Sequence, residues 1–291
     1  MENTRAKTTR NSLILLLTAT IWGMAFVSQS KGMDYMHPFT FNGVRSLIGA
    51  AGILVYILIS RKIAGDKAAK SDWKLNVRAG LLCGIFLTIA STLQQFGIKY
   101  TSVGKAGFIT TLYIIFVPMF GIFLKKKVAP VVWAAAGMAA VGMYLLCMTE
   151  SLRLGAGDIM VFLCAIAFAI QIMTVDHYAA RIDGAVVSCI QFTVCGVVCC
   201  IGALIWGQPT FGQIQEGLGA LLYAGVLSCG VGYTLQIVGQ KGLNPTVAAL
   251  IMSLESVIAT ISGWIAYKIG FLSTDQTLTP RQIAGCIIVF A

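Results

Sequence analysis

The run IMSLESVIATISGW, residues 251–264, holds one carboxylate, Glu255, inside an otherwise apolar pattern rich in small residues. On the surface of a soluble helix such a charge is unremarkable. In a helix that crosses a bilayer it costs at least about 2.5–3.5 kcal/mol and needs a reason to be there. Whether this run meets lipid or water therefore decides both the fold and the meaning of Glu255.

Composition answers for lipid. The chain has 291 residues, of which 57% are hydrophobic and 11% charged, against about 25% charge in a soluble domain. Mean hydropathy is +0.84. Several apolar runs approach or exceed the roughly 20 residues that span a bilayer as helix. The alternation of a membrane barrel is missing, so helices are the remaining way to satisfy the backbone in lipid. The expectation is an all-α polytopic membrane protein. Net charge is +10, which on a soluble chain would suggest nucleic acid; here the basic residues fall between apolar runs and read as topogenic, so no nucleic-acid partner is expected. The nine cysteines have neither metal-ligand nor extracellular framework spacing, and read as small apolar packing residues. The polar, basic N-terminus leads into the first run without a small-residue cleavage site, so no cleavable signal peptide is expected.

Ten runs are predicted as transmembrane helices: 12–29, 40–60, 77–99, 104–124, 130–148, 157–179, 184–206, 218–238, 246–267 and 281–291. The tenth is short and stops in mid-helix, as a truncated span would. Loop charges orient them. Fourteen Lys and Arg residues, among them Lys62, Lys74, Lys126 and Lys241, fall on the side of the N-terminus, and six on the other. The positive-inside rule puts the N-terminus in the cytoplasm of a multi-pass protein of the cytoplasmic (inner) membrane.

A weak internal repeat runs through these helices. AGFITTLYIIFVPMFGIFL in the fourth run is similar to AALIMSLESVIATISGWIAY in the ninth, and WAAAGMAAVG in the fifth to RQIAGCIIVF in the tenth. The unit is five helices. Five is odd, so the second copy starts from the opposite side of the membrane. Residues 1–149 and 150–291 are then two inverted five-helix repeats, an architecture typical of secondary transporters.

Four longer stretches carry a resemblance across nearly the whole chain: TATIWGMAFVSQSKGMDYMHPFTFNGVRSLIGA (18–50), LQQFGIKYTSVGKAGFITTLYIIFVPMFG (93–121), DHYAARIDGAVVSCIQF (176–192) and ALIMSLESVIATISGWIAY (249–267). In this order they resemble EamA-type permeases of the drug/metabolite transporter superfamily. The resemblance implies ten helices in two inverted repeats around a central cavity. It also implies movement of small organic metabolites without ATP hydrolysis by the chain itself. It leaves the substrate open among amino acids, nucleotide-related compounds and organic cations.

Glu255 is the foremost candidate site residue, the one acidic residue of eleven near the centre of a predicted span. Burial penalises the anion, so an acid there suits proton exchange or a cationic solute group. The competing role is a structural hydrogen bond to a neighbouring helix across a face of small residues. Arg45, a few residues into the second run, is expected to be structural or gating; snorkelling to the outer interface, pairing with a carboxylate and receiving an anionic solute group are all open to it. Uncharged candidates for a solute cavity are Trp22, Gln94, Tyr113, Gln171, Gln191 and Tyr233, with Gln95 and Gln236 beside them; each has interhelical hydrogen bonding as its alternative. Pro118 breaks one backbone bond inside the fourth run and is a candidate kink or gate. Trp206 and Tyr267 read as interfacial anchors. The glycines of GMAF, CGVGY and SGW read as close-crossing points. Asp176 and Asp183 flank Arg181 in what reads as a solvated cytoplasmic cluster.

No zinc pattern, P-loop or pair of intramembrane acids occurs, so neither an enzyme nor a bound metal or cofactor is expected. The expected partners are lipid, a small-molecule metabolite and protons, with the chain a monomer or homodimer. The expected function is secondary active transport by alternating access, proton-coupled or by exchange. The alternative is a non-transporting membrane sensor or scaffold with a structural Glu255.

Overall fold

The computed structural model describes residues 2–64, 72–123, 130–147 and 155–290. Among them the chain is all-helical. Eight stretches are long and apolar enough to cross a membrane: Lys7–Gly32, Pro38–Ile63, Trp73–Ile98, Val103–Phe123, Ala156–Ala179, Gly184–Gly207, Leu218–Gln240 and Pro245–Lys268. They coincide with the first four and the sixth to ninth predicted runs. The fifth and tenth runs are also helical but shorter, 18 residues over Pro130–Cys147 and 11 over Pro280–Phe290. At 1.5 Å per residue the latter reaches roughly half of a bilayer's hydrocarbon thickness. The loop charges Lys67, Lys70, Lys125, Lys126, Lys127 and Arg153, and the ends of the fourth, fifth and tenth runs, lie outside the described residues.

The first three spans are the helices α1 (Glu2–Gly32), α2 (Pro38–Ala64) and α3 (Trp73–Ile98). The fourth is two helices, α4 (Val103–Thr110) and α5 (Tyr113–Phe123), and α6 (Pro130–Cys147) follows. The second half begins with α7 (Ala156–Ala179) and α8 (Gly184–Gly202). Short helices α9 (Phe211–Glu216) and α10 (Leu218–Leu222) lead into a π-helical stretch, Tyr223–Gly232, that continues as α11 (Tyr233–Gln240). The ninth span is again two helices, α12 (Pro245–Met252) and α13 (Glu255–Lys268), and α14 (Pro280–Phe290) closes the chain.

Local chemistry sets the helix ends. Asp72 accepts from the amides of Lys74 and Leu75 at the start of α3, and Ser102 from that of Lys105 at the start of α4. Asp183 does the same for Ala185 and Val186 at the start of α8. Asp183 is therefore a cap rather than a member of a charge cluster with Arg181, which instead donates to the His177 carbonyl. Asn244 caps α12 ahead of Pro245 at the first helical position. Gly242 and Gly270, at φ 78° and 76°, carry the chain out of α11 and α13 in the left-handed region that favours glycine.

Packing runs across the two halves. The second span lies against the seventh, the third against the sixth and seventh, the first against the eighth and ninth, the second also against the eighth, and the fourth against the sixth and ninth; α6 lies against α14. Exchanging the first five runs for the last five leaves this set of neighbours unchanged. The glycine expected to mark a crossing in GMAF does so: a Cβ on Gly23 would fall 2.7 Å from the carbonyl oxygen of Glu255 and 2.6 Å from Ile258 Cβ. Only glycine lets α1 cross α13 at that height.

Candidate functional site

The fourth and ninth spans break at the same place. Thr111 and Ser253 each turn a side-chain hydroxyl back onto the carbonyl three residues earlier, Thr111 to Phe108 at 2.8 Å and Ser253 to Leu250 at 2.7 Å. Such back-bonding competes with the backbone ladder and bends helices. The amides that follow take tightened bonds three residues back, Leu112 to Ile109 at 3.2 Å and Leu254 to Ile251 at 3.3 Å. Pro118 is not the break: α5 runs through it without interruption, and the interruption lies seven residues earlier. The first residues after the two breaks are Tyr113 and Glu255. Their side chains meet, Tyr113 Oη donating to Glu255 Oε1 at 3.0 Å.

This pair forms part of the wall of a narrow pocket between the halves. Six of the seven residues predicted for a solute cavity line it: Glu255, Trp22, Gln94, Tyr113, Gln171 and Tyr233. Arg45 lines it too, 5% exposed, which excludes snorkelling to the interface. Gln191 does not; it is fully buried in α8 with neither amide atom bonded. Gln29, Thr110, Phe168, Ser228 and Gln236 complete much of the lining. Sequence reasoning passed over all of these except Gln236. The repeat marks the pair Gln94 and Gln236 and none of the missed residues: TLQ and the glycine and lysine after it recur as Thr92, Leu93, Gln94, Gly97, Lys99 and Thr234, Leu235, Gln236, Gly239, Lys241. The spacing is the same 142 residues that separates Tyr113 from Glu255.

Polar groups face inward in linked pairs. Gln94 Nε2 donates to Thr110 Oγ1 at 3.2 Å, and Gln236 Nε2 to Gln171 Oε1 at 3.2 Å. Trp22 and Tyr233 pack with ring centroids 4.5 Å apart, and Phe192 meets Tyr233 edge to face at 5.0 Å. Gly232 makes room for this contact, since a Cβ there would lie 2.7 Å from Trp22 Nε1. The π-helical stretch ends at that glycine, and π segments inside α-helices recur at functional sites. The volume open to the centre of a water molecule is about 30 Å³, room for roughly two waters. Any organic solute requires the walls to part.

The two ends of the bundle are closed differently. Where α3 gives way to α4, Lys105 Nζ meets Asp158 Oδ2 at 2.6 Å. Asp158 is 4% exposed and also accepts from Thr101 Oγ1 and the Gly155 amide, both at 2.9 Å. At the other end, where α11 gives way to α12, neutral bonds join the halves: Asn11 Nδ2 to the Lys241 carbonyl at 2.8 Å, and the Asp183 amide to Asn76 Oδ1 at 3.0 Å. Position 247, which corresponds to Lys105 by the repeat spacing, is a valine. His37, between α1 and α2, packs on Phe39 and Phe96. Burial holds its imidazole below the ordinary histidine value, and the Lys99 charge acts in the same direction. Among the described residues no cluster of His, Cys, Asp or Glu is placed to hold a metal.

The sequence pattern of the EamA-like transporter family matches residues 10–148 and again 155–291. The chain belongs to this family. An uncharacterized transporter of Archaeoglobus fulgidus is 26% identical over 281 residues, 94% of this chain and 82% of that one. The uncharacterized transporter YwfM of Bacillus subtilis is 27% identical over 283 residues, 96% of this chain and 90% of its own length. A solved crystal structure shares the fold at a TM-score of 0.73 and 16% identity, covering 97% of this chain and 94% of that one. The EamA-like chain is thus a multi-pass membrane protein of a transporter family, as its sequence resemblance implied.

Proposed function

We propose that this EamA-like protein is a secondary transporter that moves a small organic metabolite across the cytoplasmic membrane by alternating access. Residues 1–149 and 150–291 act as inverted five-helix repeats that rock around the central pocket. One observation carries the reading: Tyr113 and Glu255 occupy matching positions after matching helix breaks and meet in the wall of a polar pocket between the halves. The double match to the family pattern, one per half, and the exchange symmetry of the helix neighbours support the repeat. A pocket too small for an organic solute, with helix breaks at its wall, supports motion around it.

Glu255 is the titrating group of the cycle. One carboxyl oxygen accepts from Tyr113 and the other has no hydrogen bond among the described residues, so it faces the pocket free to take or release a proton. The excess of basic residues on the N-terminal side supports a cytoplasmic N-terminus. The test is flux against pH in proteoliposomes for wild type and Glu255→Gln, which keeps the shape and the acceptor but cannot titrate. Wild-type flux that varies with pH, and a variant whose flux is lost or independent of pH, are expected. Identical curves remove Glu255 from the mechanism, and no saturable flux of any solute would favour a sensor or scaffold. Single cysteines at positions 74 and 216, in a background without the native cysteines, report orientation; labelling of position 74 from outside intact cells reverses it.

A further inference from the structure

Arg45 is a cation in the wrong place for a structural role. It is 5% exposed, and among the described residues its guanidinium has no ion pair and no hydrogen bond. Its Nε is buried without a partner. The face of the Phe41 ring, 5.4 Å away, offers a cation–π contact but accepts no N–H. Arginine does not escape the cost of burial by losing its proton. Glu255 lies in the same pocket wall but is bonded to Tyr113, not to Arg45. A guanidinium kept charged, desolvated and unpaired beside a cavity is complete only when an anion enters the cavity.

The neighbouring groups repeat the demand. Trp22 Nε1 is a buried donor without a partner in the same wall. The Gln171–Gln236 amide pair makes one bond and leaves one NH₂ and one carbonyl oxygen free; turning both amides over leaves the same count. The pocket therefore offers a planar cationic fork, an indole N–H and an amide N–H. With Glu255 protonated, one positive charge and two neutral donors match a monoanion. A phosphate dianion would call for more positive charge than the pocket supplies. The planar, two-oxygen shape of a carboxylate fits the arginine fork.

We propose that Arg45 is the anion-binding residue of the pocket and that the transported solute carries a carboxylate. This rests on the transporter reading for its meaning but not for its test. Carboxylates that also bear an ammonium group and those that do not share this chemistry, and the assay separates them.

The assay is thermal stabilisation of purified protein by matched pairs, each acid against its own amide: propanoate, 4-methylpentanoate, 3-phenylpropanoate and L-leucine. A ligand that binds the folded state raises apparent stability by mass action. At least one acid should stabilise wild type where its amide does not. Arg45→Gln should weaken that acid at least about tenfold, the effect of losing a charge-assisted hydrogen bond, and Arg45→Lys should recover part of it. Preference for L-leucine over 4-methylpentanoate identifies a zwitterion, and the reverse a simple anion. Since Arg45→Gln removes an unpaired buried charge, it should fold with undiminished melting temperature. If no acid exceeds its amide, or the preference persists in Arg45→Gln, the proposal falls. Proteoliposome flux separates the two ideas: transport of amides or amines but not acids overturns the carboxylate and leaves the transporter standing. Acids that bind through Arg45 without any flux overturn the transporter and leave the anion site.

Discussion

Tyr113 and Glu255 hold the same place in the two halves of the chain, 142 residues apart, and the phenol of one donates to the carboxyl of the other at 3.0 Å. Under the proposed inverted repeat the two positions are related by a two-fold axis, and residues so related touch only near that axis. The two positions carry different chemistry, a weak acid against a phenol. The pocket thereby carries a carboxyl on one side and a phenol on the other.

Removing the donor tests this bond. Tyr113→Phe leaves Glu255 Oε1 without its partner at a site both residues bury, which should cost about 1–3 kcal/mol. Glu255→Gln retains an acceptor for the phenol and should cost less. Denaturation in detergent at a fixed pH checks the order; a larger loss for Glu255→Gln contradicts it.

The helix breaks are predicted to be hinges. Thr111→Val and Ser253→Ala delete the hydroxyls that bond the carbonyls of Phe108 and Leu250. Straighter, stiffer spans should slow transport several-fold while ligand affinity changes little, and the double variant should be slower than either single. Wild-type flux in all three variants would show that the breaks do not move.

Lys105 and Asp158 are predicted to latch one mouth. Asp158→Asn keeps the cap of α7 but removes the ion pair, at a cost of about 1–3 kcal/mol, since Asp158 is buried and Lys105 only 22% exposed. A cysteine introduced at Thr110, in the pocket wall, should then react faster with an impermeant thiol reagent. Unchanged reactivity would mean that other contacts hold the mouth, among them Gln276 Oε1 on the Val103 amide.

His37 gives a pH dependence with a definite sign. Its imidazole titrates below the ordinary value of 6.5 in the folded chain, so the unfolded chain binds the proton first as pH falls. Its contribution is fully present above about pH 6.5, and stability is lost below it toward the lower folded value. Melting temperature measured from pH 8 to 5 should fall more steeply for wild type than for His37→Gln. Parallel curves would refute the assignment.

The membrane class, eight of the ten spans, and about half of the residues that line the pocket with Glu255 were legible in the sequence. Apolarity summed over a window is a local property, and lipid enforces it whatever the helices pack against. The likeness of the fourth and ninth runs, which fall in the two separate matches to the family pattern, was also legible, because similar local structure calls for similar residues. What only the tertiary structure decided is which groups meet. Lys105 counts as one more loop charge until α4 and α7 bring it to Asp158. Arg45 has snorkelling, pairing and solute binding all open to it until α2 turns it into the pocket. Asp183 reads as part of a charge cluster until it caps α8. Tyr113 reads as one polar residue among several until the breaks aim it at Glu255. Hydropathy is blind to these outcomes, since they depend on how each helix is rotated and where it crosses its neighbours, and close packing between halves far apart in sequence sets both.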